Sequence, residues 1–164
     1  KAKDVKEEFG NKIKYILDGG SCAIGIESTI VNLIGRPSIL RLGGLDILKI
    51  QKTLGFKINI SINPKKKIAP GQSRLHYSPG IPLRMNVTKP KNDEAFIIIK
   101  KKKTKLKNYF YLTTKNNLDE AAKNLYSCLR KIKNQGYRSI AVEKIPNIGL
   151  GKAINDRLYR ASKL

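Results

Sequence analysis

Ala95-Phe96-Ile97-Ile98-Ile99 and Tyr109-Phe110-Tyr111-Leu112 are two unbroken apolar runs, and how they are read decides the architecture of the second half of the chain. A strand with one face in water alternates apolar and polar residues, whereas a strand covered on both faces of a parallel sheet is apolar throughout. Downstream of them, Asp119 to Gln135 predicts an amphipathic helix, with Leu118, Ala122, Leu125, Leu129 and Ile132 spaced by threes and fours and Gly136 as its stop. Ser139-Ile140-Ala141-Val142 predicts a further strand, and Ala153 to Ala161 a last helix with Ile154, Leu158 and Ala161 turned inward. Strand and helix in alternation with short connections argue a small doubly wound α/β domain over residues 83–164.

Upstream, residues 1–55 read mostly as short strands. Ile13-Lys14-Tyr15-Ile16-Leu17 ends in the turn signal Asp18-Gly19-Gly20, and Ala23 to Leu33, rich in Ile, Val and Thr, reads as one strand or two. Ser38-Ile39-Leu40-Arg41 is another, closed by Gly43-Gly44. Asp46 then caps a helix with Ile47, Ile50 and Leu54 on one face, stopped by Gly55. These are too few elements to close a core, and the first residue is Lys1 rather than Met, so the chain is expected to begin partway through a longer protein. Residues 56–82 form a linker: the run Lys65-Lys66-Lys67, then Ala69-Pro70-Gly71-Gln72-Ser73-Arg74-Leu75-His76-Tyr77-Ser78-Pro79. Prolines with fixed φ and a permissive glycine make the latter a stiff strap, able to lie across a cleft and present a cation and a His-Tyr pair to an anionic ligand.

At 164 residues, 40% hydrophobic and 28% charged, the chain has material for one good core or two small ones. No apolar run approaches the roughly 18 to 20 residues that span a bilayer, so no membrane association is expected. Cys22 and Cys128 are far apart and a single histidine accompanies them, which gives neither a disulfide framework nor a zinc spacing and fits a reducing cytoplasm. The net charge of +22 invites an RNA-binding reading. Against it, lysine outnumbers arginine 26 to 8, the dense runs Lys65–Lys67 and Lys100–Lys107 fall at turns or strand ends, and no RNP, KH or zinc-knuckle pattern is present.

Three places carry groups suited to chemistry. Gly25-Ile26-Glu27-Ser28-Thr29-Ile30-Val31 sets two hydroxyls side by side where a strand begins. Alternation sends Ser28 and Thr29 to opposite faces unless the backbone is irregular, and hydroxyls with free amides there suit a carboxylate or phosphate. Arg41 ends the next strand before Gly43-Gly44 with a guanidinium fork fit for phosphate. His76 and Tyr77 sit in the strap. Gly149-Leu150-Gly151-Lys152 lacks the phosphate-loop spacing and has Ala153 in place of the magnesium-binding hydroxyl. No nucleophile–base set is evident, so no catalytic residue and no metal ligand is assigned.

Leu17-Asp18-Gly19-Gly20, Gly25 to Leu33 and Ile39-Leu40-Arg41-Leu42-Gly43-Gly44 together resemble the C-terminal part of the YrdC-like domain of threonylcarbamoyl-AMP synthases. The segments Ala69-Pro70-Gly71-Gln72 and His76-Tyr77-Ser78-Pro79 resemble the linker of the long, two-domain form of that family. Ala141-Val142-Glu143-Lys144-Ile145-Pro146, Gly149-Leu150-Gly151 and Ala153-Ile154-Asn155-Asp156-Arg157-Leu158 are similar to the end of its small C-terminal domain. The resemblance implies an α/β chain made of the end of the YrdC-like catalytic domain over 1–55, a Pro/Gly linker strap over 56–82, and a small Rossmann-like parallel-sheet domain over 83–164.

The activity so implied is a nucleotidyltransferase reaction that makes threonylcarbamoyl-adenylate from L-threonine, bicarbonate and ATP with release of pyrophosphate. Mg²⁺ enters with ATP. The product serves threonylcarbamoyl modification of adenosine 37 in tRNA, through a tRNA-modification transferase complex, with direct tRNA contact a further expectation. Position by position, Ser28 and Thr29 match the threonine-binding place, Arg41 the arginine near the nucleotide phosphates, and His76 with Tyr77 the linker pair that folds over the nucleotide. The chain departs from the pattern in Leu42, where proline is common, in Asn32, where aspartate is usual, and in Leu75, where some members carry arginine and Arg74 stands one place earlier. The family's N-terminal basic motif would lie before Lys1, so the chain by itself is expected to be inactive. A rival from another class is a basic RNA-binding module without chemistry.

Overall fold

The computed structural model describes residues 1–64, 66–73 and 76–163. In chain order the elements are α1 (Ala2–Phe9), β1 (Ile30–Asn32), β2 (Ser38–Arg41), α2 (Ile47–Leu54), β3 (Asn59–Ile60), β4 (Leu83–Arg84), β5 (Ala95–Lys100), β6 (Tyr109–Thr113), α3 (Leu118–Asn134), β7 (Ile140–Val142) and α4 (Gly151–Ala161). A single turn of 3₁₀ helix, Gly10–Lys12, follows α1.

The strands form two sheets. In the first, β2 lies between an antiparallel β1 and a parallel β3. In the second the order is β4-β7-β5-β6 and every pairing is parallel. The two apolar runs are thus neighbouring parallel strands, but only β5 is buried on both faces; β6 is the edge strand, with Phe110 and Leu112 buried and Tyr111 exposed on the other face. Ile97, Ile99, Phe110, Leu112, Ile140 and Val142 on one face meet Leu125, Leu129 and Ile132 of α3 and Ile154 and Leu158 of α4. Phe96, Ile98 and Ala141 on the other face pack with Val87 and Tyr109.

Both long helices therefore serve one face, and the sheet is not doubly wound. The connection from β5 to β6 is the lysine run, which has no apolar stripe with which a helix could cover the second face. α3 starts at an Asn117 cap that accepts from the amides of Asp119 and Glu120.

In the first half, Asp46 accepts from the amide of Leu48 and caps α2, and Gly55, at φ 76°, ends it in the left-handed region. Ile39, Leu42, Ile47 and Ile58 form a small core completed by Ala153 of α4, so this half borrows apolar surface from the other. Two expectations for this half fail. Residues 13–17 form no strand, with Tyr15 and Leu17 almost fully exposed and no ladder partner among the described residues. Only Ile30–Asn32 of the 23–33 stretch is a strand, while residues 2–9 are helical. Arg74 and Leu75, where the chain departs from the family pattern, lie outside the described residues.

Candidate functional site

β2 delivers Arg41 opposite Ile30 at the start of β1, where a bulge between Ile30 and Val31 breaks the ladder. Ser28 and Thr29, just before β1, are thereby brought beside Arg41. Arg41 donates from Nε to the carbonyl of Ser28 and from Nη2 to its hydroxyl, each at 3.0 Å. Thr29 faces the other way: its hydroxyl donates to the carbonyl of Leu45 at 2.7 Å and accepts from that residue's amide at 3.2 Å. The hydroxyls diverge as alternation requires, leaving Ser28 exposed and Thr29 bound to the Leu45 main chain.

The turn that closes this corner depends on a glycine. A Cβ on Gly43 would overlap the carbonyl carbon of Ser28 and the amide nitrogen of Thr29, so any other residue would push the 28–29 backbone away. The amide of Gly44 also donates to the carbonyl of Glu27 at 2.9 Å.

The strap is pinned to the same strand. Buried Gln72 accepts through Oε1 from the amides of Ile68 and Ala69 at 2.9 and 3.0 Å. Through Nε2 it donates to the carbonyl of Leu40, the neighbour of Arg41, at 3.1 Å. Gly71, at φ 83°, fills the space between the strap and the arginine. A Cβ there would lie 2.7 Å from the Tyr77 hydroxyl oxygen and 3.1 Å from Arg41 Cδ. Tyr77 is half-buried with its hydroxyl end at this junction, and exposed His76 meets its ring edge-on at a centroid distance of 3.9 Å.

Beneath Tyr77 lies a group that sequence reasoning did not single out as functional. Arg157 of α4, fully buried, donates from Nη2 and Nε to Glu27 Oε2 at 2.8 and 3.2 Å. The hydroxyl of Tyr126 on α3 reaches the same carboxylate at 3.3 Å, and its ring stacks on Tyr77 at 5.8 Å. The Arg157 guanidinium lies 5.2 Å from the centre of the Tyr77 ring. Burial pushes the Glu27 carboxyl upward, but the hydrogen bonds and charge of Arg157 outweigh it and hold the group below its ordinary value. Burial also raises Tyr77 to about 12, so it remains a neutral hydroxyl at ordinary pH.

Arg160, three residues along α4, donates to the carbonyls of Ser73 and Ile62 at 3.0 and 2.8 Å, and Asp156 bridges both arginines. The sequence signal was the charge triplet Asp156, Arg157, Arg160 on a helix whose apolar positions already pointed inward.

The arrangement therefore brings Arg41 and Tyr77 together at Gly71 and ties Ser28 to Arg41, with His76 exposed and Thr29 turned into structure. A hydroxyl and a guanidinium suit an anionic, polar ligand. Among the described residues no three His, Cys, Asp or Glu side chains gather in a way that would hold a metal ion, and no helix is long and apolar enough to cross a membrane.

The family model described as threonylcarbamoyl-AMP synthase, C-terminal domain, matches residues 44–163, and one described as telomere recombination matches residues 1–43. Threonylcarbamoyl-AMP synthase of Pyrococcus abyssi is 32% identical over 98% of this chain and 53% of its own length. That of Schizosaccharomyces pombe is 29% identical over 99% of this chain and 48% of its own. A crystal structure of P. abyssi Sua5 complexed with L-threonine superposes with a TM-score of 0.83 at 31% identity, covering 98% of this chain and 53% of that one. A structure of the same protein with an adjacent histidine and tyrosine both changed to alanine gives a TM-score of 0.79 at 28% identity, over 98% of this chain and 52% of that one. The chain spans about half the length of the curated relatives it matches. With most of its residues under one family model, the chain belongs to the threonylcarbamoyl-AMP synthase family.

Proposed function

We propose that this chain works as part of an enzyme that makes threonylcarbamoyl-adenylate from L-threonine, bicarbonate and ATP, a nucleotidyl transfer. The carbamate oxygen formed on the threonine nitrogen attacks the α-phosphorus, and pyrophosphate leaves. The observation that carries this reading is the junction of Arg41, Ser28 and the strap tyrosine around Gly71. A guanidinium, a hydroxyl and an aromatic ring side by side support a site for a phosphate and a small polar substrate under an aromatic cover.

Ser28 orients threonine. Arg41 spends Nε and Nη2 on Ser28, which leaves Nη1 to meet nucleotide phosphate and couples the two substrates through one side chain. Tyr77 and His76 cover the nucleotide and keep water from the mixed anhydride, while Thr29 holds Ser28 in place through Leu45. Mg²⁺ carried by ATP as part of the substrate would supply positive charge for the leaving pyrophosphate, and no residue of this chain is assigned to hold it. The relative solved with L-threonine supports the threonine assignment, and the relative altered at an adjacent histidine and tyrosine supports attention to His76 and Tyr77. The adenylate then passes to the complex that modifies adenosine 37 of tRNA.

The test is threonine- and bicarbonate-dependent pyrophosphate release by the full-length protein, with Tyr77→Ala compared for adenylate retained on the enzyme. Release dependent on both substrates, with retention lost in Tyr77→Ala, supports the reading. Release indifferent to threonine overturns it.

A further inference from the structure

Tyr77 has φ 65°, a left-handed backbone rarely adopted by a large side chain. Such a conformation is strained for a bulky residue and persists only where surrounding groups fix it. Those groups come from the C-terminal domain. The Tyr126 ring stacks at an interplanar angle of 22°, and the Arg157 guanidinium sits at 5.2 Å. Glu27 is held from both sides, by the Arg157 fork and by the Tyr126 hydroxyl. One turn of helix further on, Arg160 holds Ser73 by its carbonyl, so α4 meets the strap at Ser73 as well as at Tyr77.

An ion pair between a fully buried arginine and a half-buried glutamate is a weak device for stability alone, since apolar side chains of similar volume pack about as well. Its placement against a strained tyrosine, and one residue before Ser28, is what an apolar pair could not reproduce. Among the described residues Arg157 makes no hydrogen bond to Ser28 or Arg41, so it does not belong to the substrate-facing set.

We infer that Arg157, acting through Glu27 and Tyr126, is a positioning residue that sets Tyr77 in its covering pose, which makes the C-terminal domain the support of the strap. This rests on the reading of the strap as a nucleotide cover. Arg157 keeps the tyrosine pre-formed, so that closing over nucleotide orders less chain.

The experiment is a double-mutant cycle in the full-length protein with threonine saturating, reading the dissociation rate of a non-hydrolysable ATP analogue. The variants are Arg157→Lys, which keeps the charge but loses the planar fork, Tyr77→Ala, and both together. Each single variant is expected to speed dissociation roughly three- to tenfold, and the double variant no more than the faster single. Effects that multiply mean Arg157 acts elsewhere and overturn the inference while leaving the strap reading standing. A silent Tyr77→Ala overturns the strap reading and the inference with it. If thermal melting shows Arg157→Lys misfolded, Tyr126→Leu takes its place in the cycle, removing the stacked ring while leaving the ion pair, and the same two outcomes decide.

Discussion

Arg41 binds Ser28 twice, through its carbonyl and its hydroxyl, each at 3.0 Å. A guanidinium used this way has a structural task beside the phosphate-binding one proposed for it, and this changes what its loss should do. Arg41→Ala in the full-length protein should weaken nucleotide by roughly tenfold or more, since charge-assisted bonds contribute about 1.5–3 kcal/mol. It should also raise the KM for threonine, because Ser28 loses its support. Arg41→Lys should recover part of the nucleotide affinity and little of the threonine effect, as an ammonium cannot span carbonyl and hydroxyl together. Separate titrations of the two substrates check this, and an effect on neither would make Arg41 a surface residue.

Gly43 offers a test by sterics alone. Its missing Cβ is where the Ser28 carbonyl carbon and the Thr29 amide lie. Gly43→Ala should displace residues 28–29 and cost about 1–3 kcal/mol by overpacking, read as a lowered denaturation midpoint, with threonine affinity falling more than nucleotide affinity. Thr29→Val, which keeps the shape but loses both bonds to Leu45, should cost about 1 kcal/mol and shift threonine affinity in the same direction.

The Glu27–Arg157 pair makes stability depend on acid. With the folded carboxyl held below its ordinary value of 4.5, the native state binds fewer protons than the unfolded chain as pH falls past that value. The pair's contribution is thus complete above 4.5 and is lost as pH drops through the folded value. Glu94, lowered by Arg84, and Glu120, lowered by Thr113, add to the same acid limb. Comparing urea midpoints of the parent chain and Glu27→Gln, from neutral pH into acid, isolates the share of Glu27. The variant should be less stable near neutrality and the two curves should converge in acid. Parallel curves would mean that the carboxylate gains nothing from Arg157.

The elements that local pattern alone can specify were legible in the sequence. Asp46 and Gly55 bracket α2, and the unbroken runs at 95–99 and 109–112 are parallel strands, the first buried on both faces and the second on one, because it stands at the sheet edge with Tyr111 exposed. Ser28, Arg41 and the strap could be chosen as candidates because hydroxyl, guanidinium and Pro/Gly stiffness are local properties. The stretch 13–17 forms no strand because an apolar run ending in a turn signal is not sufficient for one, which also needs a ladder partner that local sequence cannot show. Glu27, Tyr126 and Arg157 were passed over because each is an ordinary residue on its own element. Only the packing of α3 and α4 against residues 25–28 makes them a group, and a Cβ on Gly25 would come within 2.5 Å of Lys123 Cα on α3.

Gln72 gives the strap a test independent of ligand. Its amide makes four bonds, two accepted from Ile68 and Ala69 and two donated to Leu40 and Ser61, the last at 3.4 Å. No apolar residue can satisfy those main-chain groups, and a carboxylate could accept but not donate. Gln72→Leu should cost about 1–3 kcal/mol for the groups left unpaired. Gln72→Glu should keep the contacts to Ile68 and Ala69 while setting a charge against the Leu40 carbonyl, and should cost at least as much. Because Leu40 adjoins Arg41, either change should loosen the strap from the site as well as from the core. Limited proteolysis near Gly71 and Gly80 should therefore quicken in both variants, and saturating ATP and threonine should protect them less than the parent. Cleavage rates equal to the parent's in both variants would show that the strap is held by its prolines alone, with the buried amide serving only the small core around Ile39.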